Sequence, residues 1–170
     1  IVRNLLDFAR QTEPKIENVN IVDVIKDTLN IIAHLAKVAN VMIVEEYEKY
    51  LPLISIDIAQ FKQVLINLFN NALYVMPNGG ILTIKVSSSE GWMIIQIQDT
   101  GHGIPENIIH KIFDPFFTTK PETKGTGLGL SVSYGIIEKH EGTIDIESTV
   151  GKGSIFTIKF PLPIGCIYPL

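Results

Sequence analysis

Three short stretches of the 170-residue sequence hold side chains whose types and spacing suit ligand chemistry. Gln63, Asn67 and Asn71 fall at i, i+4 and i+8 beside an apolar stripe of Val64, Leu65, Leu68, Phe69 and Ala72. Asn is a poor helix former, so two on one face cost helix stability that something should offset. An amide carbonyl is a neutral ligand for a hard cation, and Mg2+ is held by few protein oxygens together with phosphates and water. Hydrogen-bonded amides on a helix surface account for the same spacing. The second stretch is Asp99-Thr100-Gly101-His102-Gly103-Ile104-Pro105. Its glycines allow positive φ and close approach by a flat ligand. Ionised Asp99 only accepts hydrogen bonds, so it suits an exocyclic amino group such as adenine's and opposes the carbonyl of guanine. An Asx-capped turn is the plainer alternative. The third stretch, Gly125-Thr126-Gly127-Leu128-Gly129-Leu130, opens a helix. Free N–H groups and the positive end of the helix dipole make such a start an anion site. Lys120 and Lys124, just before it, are within reach of phosphate oxygens or are solvated loop charges.

The commoner signatures are missing. Leu130 breaks G-x-G-x-x-G, and Gly151-Lys152-Gly153 lacks the hydroxyl of a P-loop and reads as a hairpin turn. Neither V-A-I-K nor H-R-D of protein kinases occurs. His34, His102, His110 and His140 have no metal-ligand spacing, and no Ser, Thr or Cys has a base partner that would make it a nucleophile. With 14 Lys+Arg against 18 Asp+Glu, a net charge of −4 argues against bulk electrostatic binding of nucleic acid. The single cysteine, Cys166, excludes an internal disulfide and fits a reducing compartment. Charges such as Asp23, Lys26, Asp27 and Lys37 break the longest apolar run well short of the roughly 18 residues a membrane span needs. The opening Ile1-Val2-Arg3 reads as the start of a piece of a longer protein.

The elements that must position these residues follow from periodicity. Val2, Leu5, Leu6 and Ala9 have helical spacing up to Thr12-Glu13-Pro14. Asn20 is placed to cap a helix of about 20 residues with a left-handed stop at Asn40, followed by a strand over 41–46. Asp57 caps a second helix from 58 to about 76, ended by Pro77 and Asn78-Gly79-Gly80. Hairpins pair 81–87 with 92–98 and 143–148 with 154–160, and a third helix runs from about 128 to 140. Between Asp99 and Thr126 lies a long Gly/Pro/Thr-rich connection with a short helix opened by Pro105; Phe113, Phe116 and Phe117 are read as packing it onto the body. Helices in the first half mixed with hairpins argue for an α+β domain, with helices on one face of a largely antiparallel sheet. One domain with a short appendage fits the length, and a core of this size buries roughly 70% of the unfolded surface without a staple.

Taken together and in this order, the motifs resemble the catalytic and ATP-binding domain of bacterial-type sensor histidine kinases, in the superfamily of gyrase, heat-shock chaperone, histidine kinase and MutL ATPases. The N box resembles residues 63–72, the G1 box 99–103, the F box Phe113-Asp114-Pro115-Phe116-Phe117-Thr118-Thr119-Lys120, and the G2 box 125–130. The resemblance covers about residues 18–162, with 1–14 similar to the end of a dimerisation helix and 163–170 an unread tail. It implies a two-layer α+β sandwich of the Bergerat type, with about five strands, three main helices and a flexible ATP lid over 105–124. It further implies that Asn71 ligates Mg2+ with Asn67 assisting, and that Asp99 reads the adenine amino group. Gly101 and Gly103 would floor the base pocket, Gly125, Gly127 and Gly129 would face the triphosphate, and Lys120 and Lys124 would act in catalysis. Ile104, Phe116, Thr119, Thr126, Leu128 and Ser154 complete the implied nucleotide contacts; Ser154 stands where relatives often have Thr.

Hydrolysing members of that superfamily carry a water-activating Glu one helical turn before the metal Asn. Here the position is Asn67, and an amide takes no proton at neutral pH. The resemblance therefore implies a module that holds ATP for transfer to a histidine on a dimerisation domain, from which a response regulator takes the phosphoryl group. The implied setting is cytoplasmic and homodimeric, without nucleic acid or membrane contact by this piece. Rivals are a serine-kinase anti-sigma factor of the same superfamily, a non-catalytic nucleotide sensor or interaction module, and a hydrolysing ATPase fragment.

Overall fold

The structure is a computed structural model that describes residues 14–121 and 125–163. The helical reading of 1–13, Lys124 and the tail from 164 lie outside the described residues. Its two long helices begin alike. Asn20 accepts from Val22 N at 3.0 Å at the head of α1 (Ile21–Val38), and Asp57 accepts from Gln60 N at 2.9 Å at the head of α2 (Ile58–Tyr74). Each cap satisfies a backbone N–H that the first turn leaves unpaired, and contributes about 1 kcal/mol. As the sequence predicts, α1 stops at Asn40 in the left-handed region, φ 54°.

Among the described residues seven strands follow in chain order: β1 (Ile16–Val19), β2 (Val41–Tyr47), β3 (Ile54–Asp57), β4 (Gly80–Ser89), β5 (Trp92–Asp99), β6 (Thr143–Thr149) and β7 (Gly153–Pro161). Five form a mixed sheet in the order β2-β4-β5-β7-β6, with β2 parallel to β4 and the remaining pairs antiparallel. The other two, β1 and β3, form a separate antiparallel ribbon in the register Ile16↔Asp57, which the sequence reading did not anticipate. Each is four residues long and pairs with a segment some forty residues away, so neither offers a local pattern to read.

The short helix α3 (Glu106–Ile109) and α4 (Gly129–Lys139) complete the elements of the described residues. The core lies between the sheet and α1, α2 and α4. Inward rows Leu82, Ile84 and Val86 on β4, Met93, Ile95 and Ile97 on β5, and Phe156, Ile158 and Phe160 on β7 meet Phe61, Val64, Leu65, Leu68 and Phe69 of α2. Phe61 and Phe160 touch edge to face, with ring centroids 5.5 Å apart. Buried His140 ties two helix ends together: its Nδ1 donates to Ile136 O at 2.7 Å, and its Nε2 accepts from Asp57 N at 3.0 Å. The period-2 rule then builds the site. Two residues beyond Ile97 the inward row of β5 ends in Asp99, two residues before Phe156 the row of β7 begins with Ser154, and the two are register partners.

Candidate functional site

Where these rows run out, the sheet and α2 open onto a cavity of about 560 Å³. Asp99 is 4% exposed and lines it. Its Oδ1 accepts from Gly101 N at 2.8 Å and the Ser154 backbone N–H is a second donor, but burial dominates and pushes the carboxyl above the ordinary value of 3.8. The loop after β5 is clamped against the β6–β7 turn. Gly103 has φ +73°, and a side chain there would run into the carbonyl of Thr149. Gly151 N donates to His102 O at 2.8 Å across the same contact.

The far side of the cavity is made by the end of α2 and the start of α4. Asn71 lines it and its Oδ1 accepts from Lys120 Nζ at 2.6 Å, with the ammonium also 4.5 Å above the Tyr74 ring. Burial lowers the pKa of this lysine from its ordinary 10.5. Helix α4 starts without a side-chain cap from Leu128, so the positive end of its dipole is turned to the cavity at Gly127 and Gly129, which line it with Gly125, Thr126 and Leu130. Gly127, at φ +67°, packs on the Phe116 backbone, whose N–H donates to Gly127 O at 2.9 Å. A side chain at 127 would collide with that strand of chain.

Of the residues singled out from sequence, Asn71, Asp99, Gly103, Ile104, Thr119, Lys120, Gly125, Thr126, Gly127, Gly129 and Ser154 line this one cavity. Gly101 stands behind Asp99 as its hydrogen-bond donor. Asn67 does not line the cavity: its Nδ2 donates to Gly129 O at 3.0 Å and Ser133 Oγ at 3.2 Å, fixing the head of α4 against α2. Leu128 is buried behind the turn. Phe116 does not point inward either. Its backbone is left-handed, φ +67°, which leaves the ring 68% exposed, and Phe117 lines the cavity instead. Sequence reasoning missed Tyr74, Val75, Val150 and Phe156. Only Tyr74 carried a signal, three residues after Asn71 on the same helix side.

Residues 56–164 match the model of a family described as histidine kinase-, DNA gyrase B-, and HSP90-like ATPase. This chain belongs to that family. Sensor kinase CckA of Brucella abortus (strain 2308), which it resembles, is 36% identical over 176 residues; the match covers 95% of this chain but only 18% of the relative. The catalytic domain of histidine kinase ThkA in a nucleotide-free form superposes with a TM-score of 0.77 and 32% identity, covering 86% of this chain and 95% of that domain. Histidine kinase ThkA in complex with response regulator protein TrrA matches with a TM-score of 0.79 and 27% identity, over 94% of this chain and 46% of that one. The α+β fold expected from sequence is thus that of histidine kinase catalytic domains within this family. Among the described residues no helix is long and apolar enough to cross a membrane.

Proposed function

We propose that this chain is the ATP-binding catalytic module of a two-component sensor histidine kinase. It would donate the γ-phosphoryl group of ATP to a histidine on a dimerisation domain, for onward transfer to a response-regulator receiver domain. One observation carries the proposal. An acceptor-only carboxylate, a neutral amide oxygen facing a cation and an uncapped helix start all open onto a single cavity.

The residues divide the task by their chemistry. Asp99 accepts from an amino group on the base, and the clamped loop at Gly103 brings backbone close to its plane. The backbone N–H groups and positive dipole end at the head of α4 and the Lys120 ammonium receive phosphate oxygens. Asn71 fits the role of Mg2+ ligand, because its neutral amide Oδ1 faces the cavity and already receives the Lys120 ammonium at 2.6 Å. Bound Mg2+ would neutralise charge on the triphosphate. Asn67 holds the head of α4 in place and has no basic atom to activate water, which supports transfer to a waiting nucleophile over hydrolysis. Positioning and charge neutralisation are what phosphoryl transfer mainly demands.

Calorimetric titration with ATP and Mg2+ tests the reading. Saturable binding that GTP does not reproduce, that Asp99→Ala abolishes, and that yields no phosphohistidine on the chain by itself is the expected result. Binding indifferent to Asp99 would replace it with a retained scaffold used for interaction.

A further inference from the structure

Ser148, on β6, lies outside the cavity lining, yet it governs a hydroxyl that lies within it. Its Oγ donates to Gly153 O at 3.0 Å, accepts from Ile104 N at 2.7 Å and stands 2.9 Å from Ser154 Oγ. A serine hydroxyl has one proton and two lone pairs. With its proton on Gly153 and one lone pair taken by Ile104, Ser148 has only a lone pair left for Ser154. Ser154 must therefore be the donor of that bond, and its single proton is committed away from the cavity. What buried Ser154 shows the cavity is lone pairs, beside its register partner Asp99, whose ionised carboxylate also only accepts.

We propose that Ser148 is a specificity-determining positioning residue. By taking the hydroxyl proton of Ser154, it leaves the Asp99 end of the cavity with acceptors alone, and so selects a purine with an exocyclic amino group over one with a carbonyl there. This rests on the ATP reading of the cavity. The same hydroxyl anchors Ile104 N at the start of the loop, so a loss of stability on its removal is not informative by itself. The ratio of two affinities is.

The test titrates the chain with the Mg2+ complexes of ATP and inosine triphosphate, which present an amino group and a carbonyl at the same position of the base. Ser148→Ala frees the proton of Ser154 to meet the carbonyl, and the ATP preference should fall about tenfold. Ser148→Ala combined with Ser154→Ala removes that donor again and should bring the preference back up to the level of Ser154→Ala alone, while Ser148→Thr should keep that of the parent. Should Ser148→Ala fail to fold, Ser154→Ala decides the sign. Removing an acceptor weakens ATP selectively and lowers the preference, whereas removing a donor would raise it and overturn the proposal. A Ser148→Ala chain in which both affinities drop with an unchanged ratio would also overturn it, leaving Ser148 a purely structural anchor. A parent chain that binds neither triphosphate would instead remove the ATP reading itself.

Discussion

Two aspartates, Asp57 and Asp99, are only 8% and 4% exposed, with Asp99 set deeper in the fold, and their carboxyls are driven in opposite directions. Burial pushes both upward. At Asp57 the donors outweigh it: Lys15 N reaches Oδ2 at 2.7 Å, Gln60 N reaches Oδ1 at 2.9 Å, Ala59 N adds a third, and His140 lies close by. The result lies below the ordinary carboxylate value. At Asp99 two backbone donors, Gly101 and Ser154, and nearby His102 oppose burial without overcoming it, and the result lies above that value. A carboxylate that serves the fold has its lone pairs filled by its own chain. One that serves a ligand keeps acceptor capacity open, at a cost in stability while the ligand is away.

The largest effect that would break this comparison is expected at Asp99. Asp99→Asn keeps an oxygen for Gly101 N but turns an NH2 donor toward the base. ATP affinity should fall roughly 100-fold. The thermal midpoint at neutral pH should stay level or rise, since the buried charge is gone. Titration and scanning calorimetry on the same sample check both halves. A variant that lost stability along with affinity would show Asp99 to be a fold residue like Asp57.

Asp57→Ala should do the reverse, and less strongly. It uncaps α2 and strands Lys15 N, costing about 1–2 kcal/mol. For a chain of this size that lowers the midpoint by about 3–6 °C. ATP affinity should stay within about twofold of the parent. An affinity loss beyond that would mean that the head of α2 sets the position of Asn71 at its other end, and the division between the two aspartates would fail.

Much of this contrast was open to sequence reasoning, and its limits are physical. Asp57 is readable as a cap because a helical apolar pattern begins immediately after it, and Asp99 because glycines follow at fixed spacing on a strand end. Which of them lacks donors was not readable, since the deciding partners, Lys15 and Ser154, lie 42 and 55 residues away and arrive through the β1–β3 ribbon and the β5–β7 ladder. The same holds for Asn67 and Asn71, identical in type and one turn apart. One is bound into the α2–α4 contact, and the other faces the cavity. Phe116 and Phe117 could not be sorted by period either, because a single left-handed residue turned one ring outward and the next inward.

The smallest effect sharpens the comparison most, because it separates the two carboxyls by pH alone. Asp99, raised, binds its proton more readily folded than unfolded; its charge costs stability at neutral pH, and that cost disappears as pH falls through its folded value toward 3.8. Asp57, lowered, does the opposite. Its contribution is complete above 3.8 and is lost only as pH falls below that toward its folded value. Thermal midpoints taken from pH 7 downward should therefore show Asp99→Asn leading the parent most at neutral pH, with the lead closing before pH 3.8 is reached. Asp57→Asn should trail the parent by a constant margin over that range, and its deficit should shrink only below 3.8. Equal pH dependence in the two variants would mean that the donors around Asp57 and Asp99 do not differ in the way their hydrogen bonds indicate.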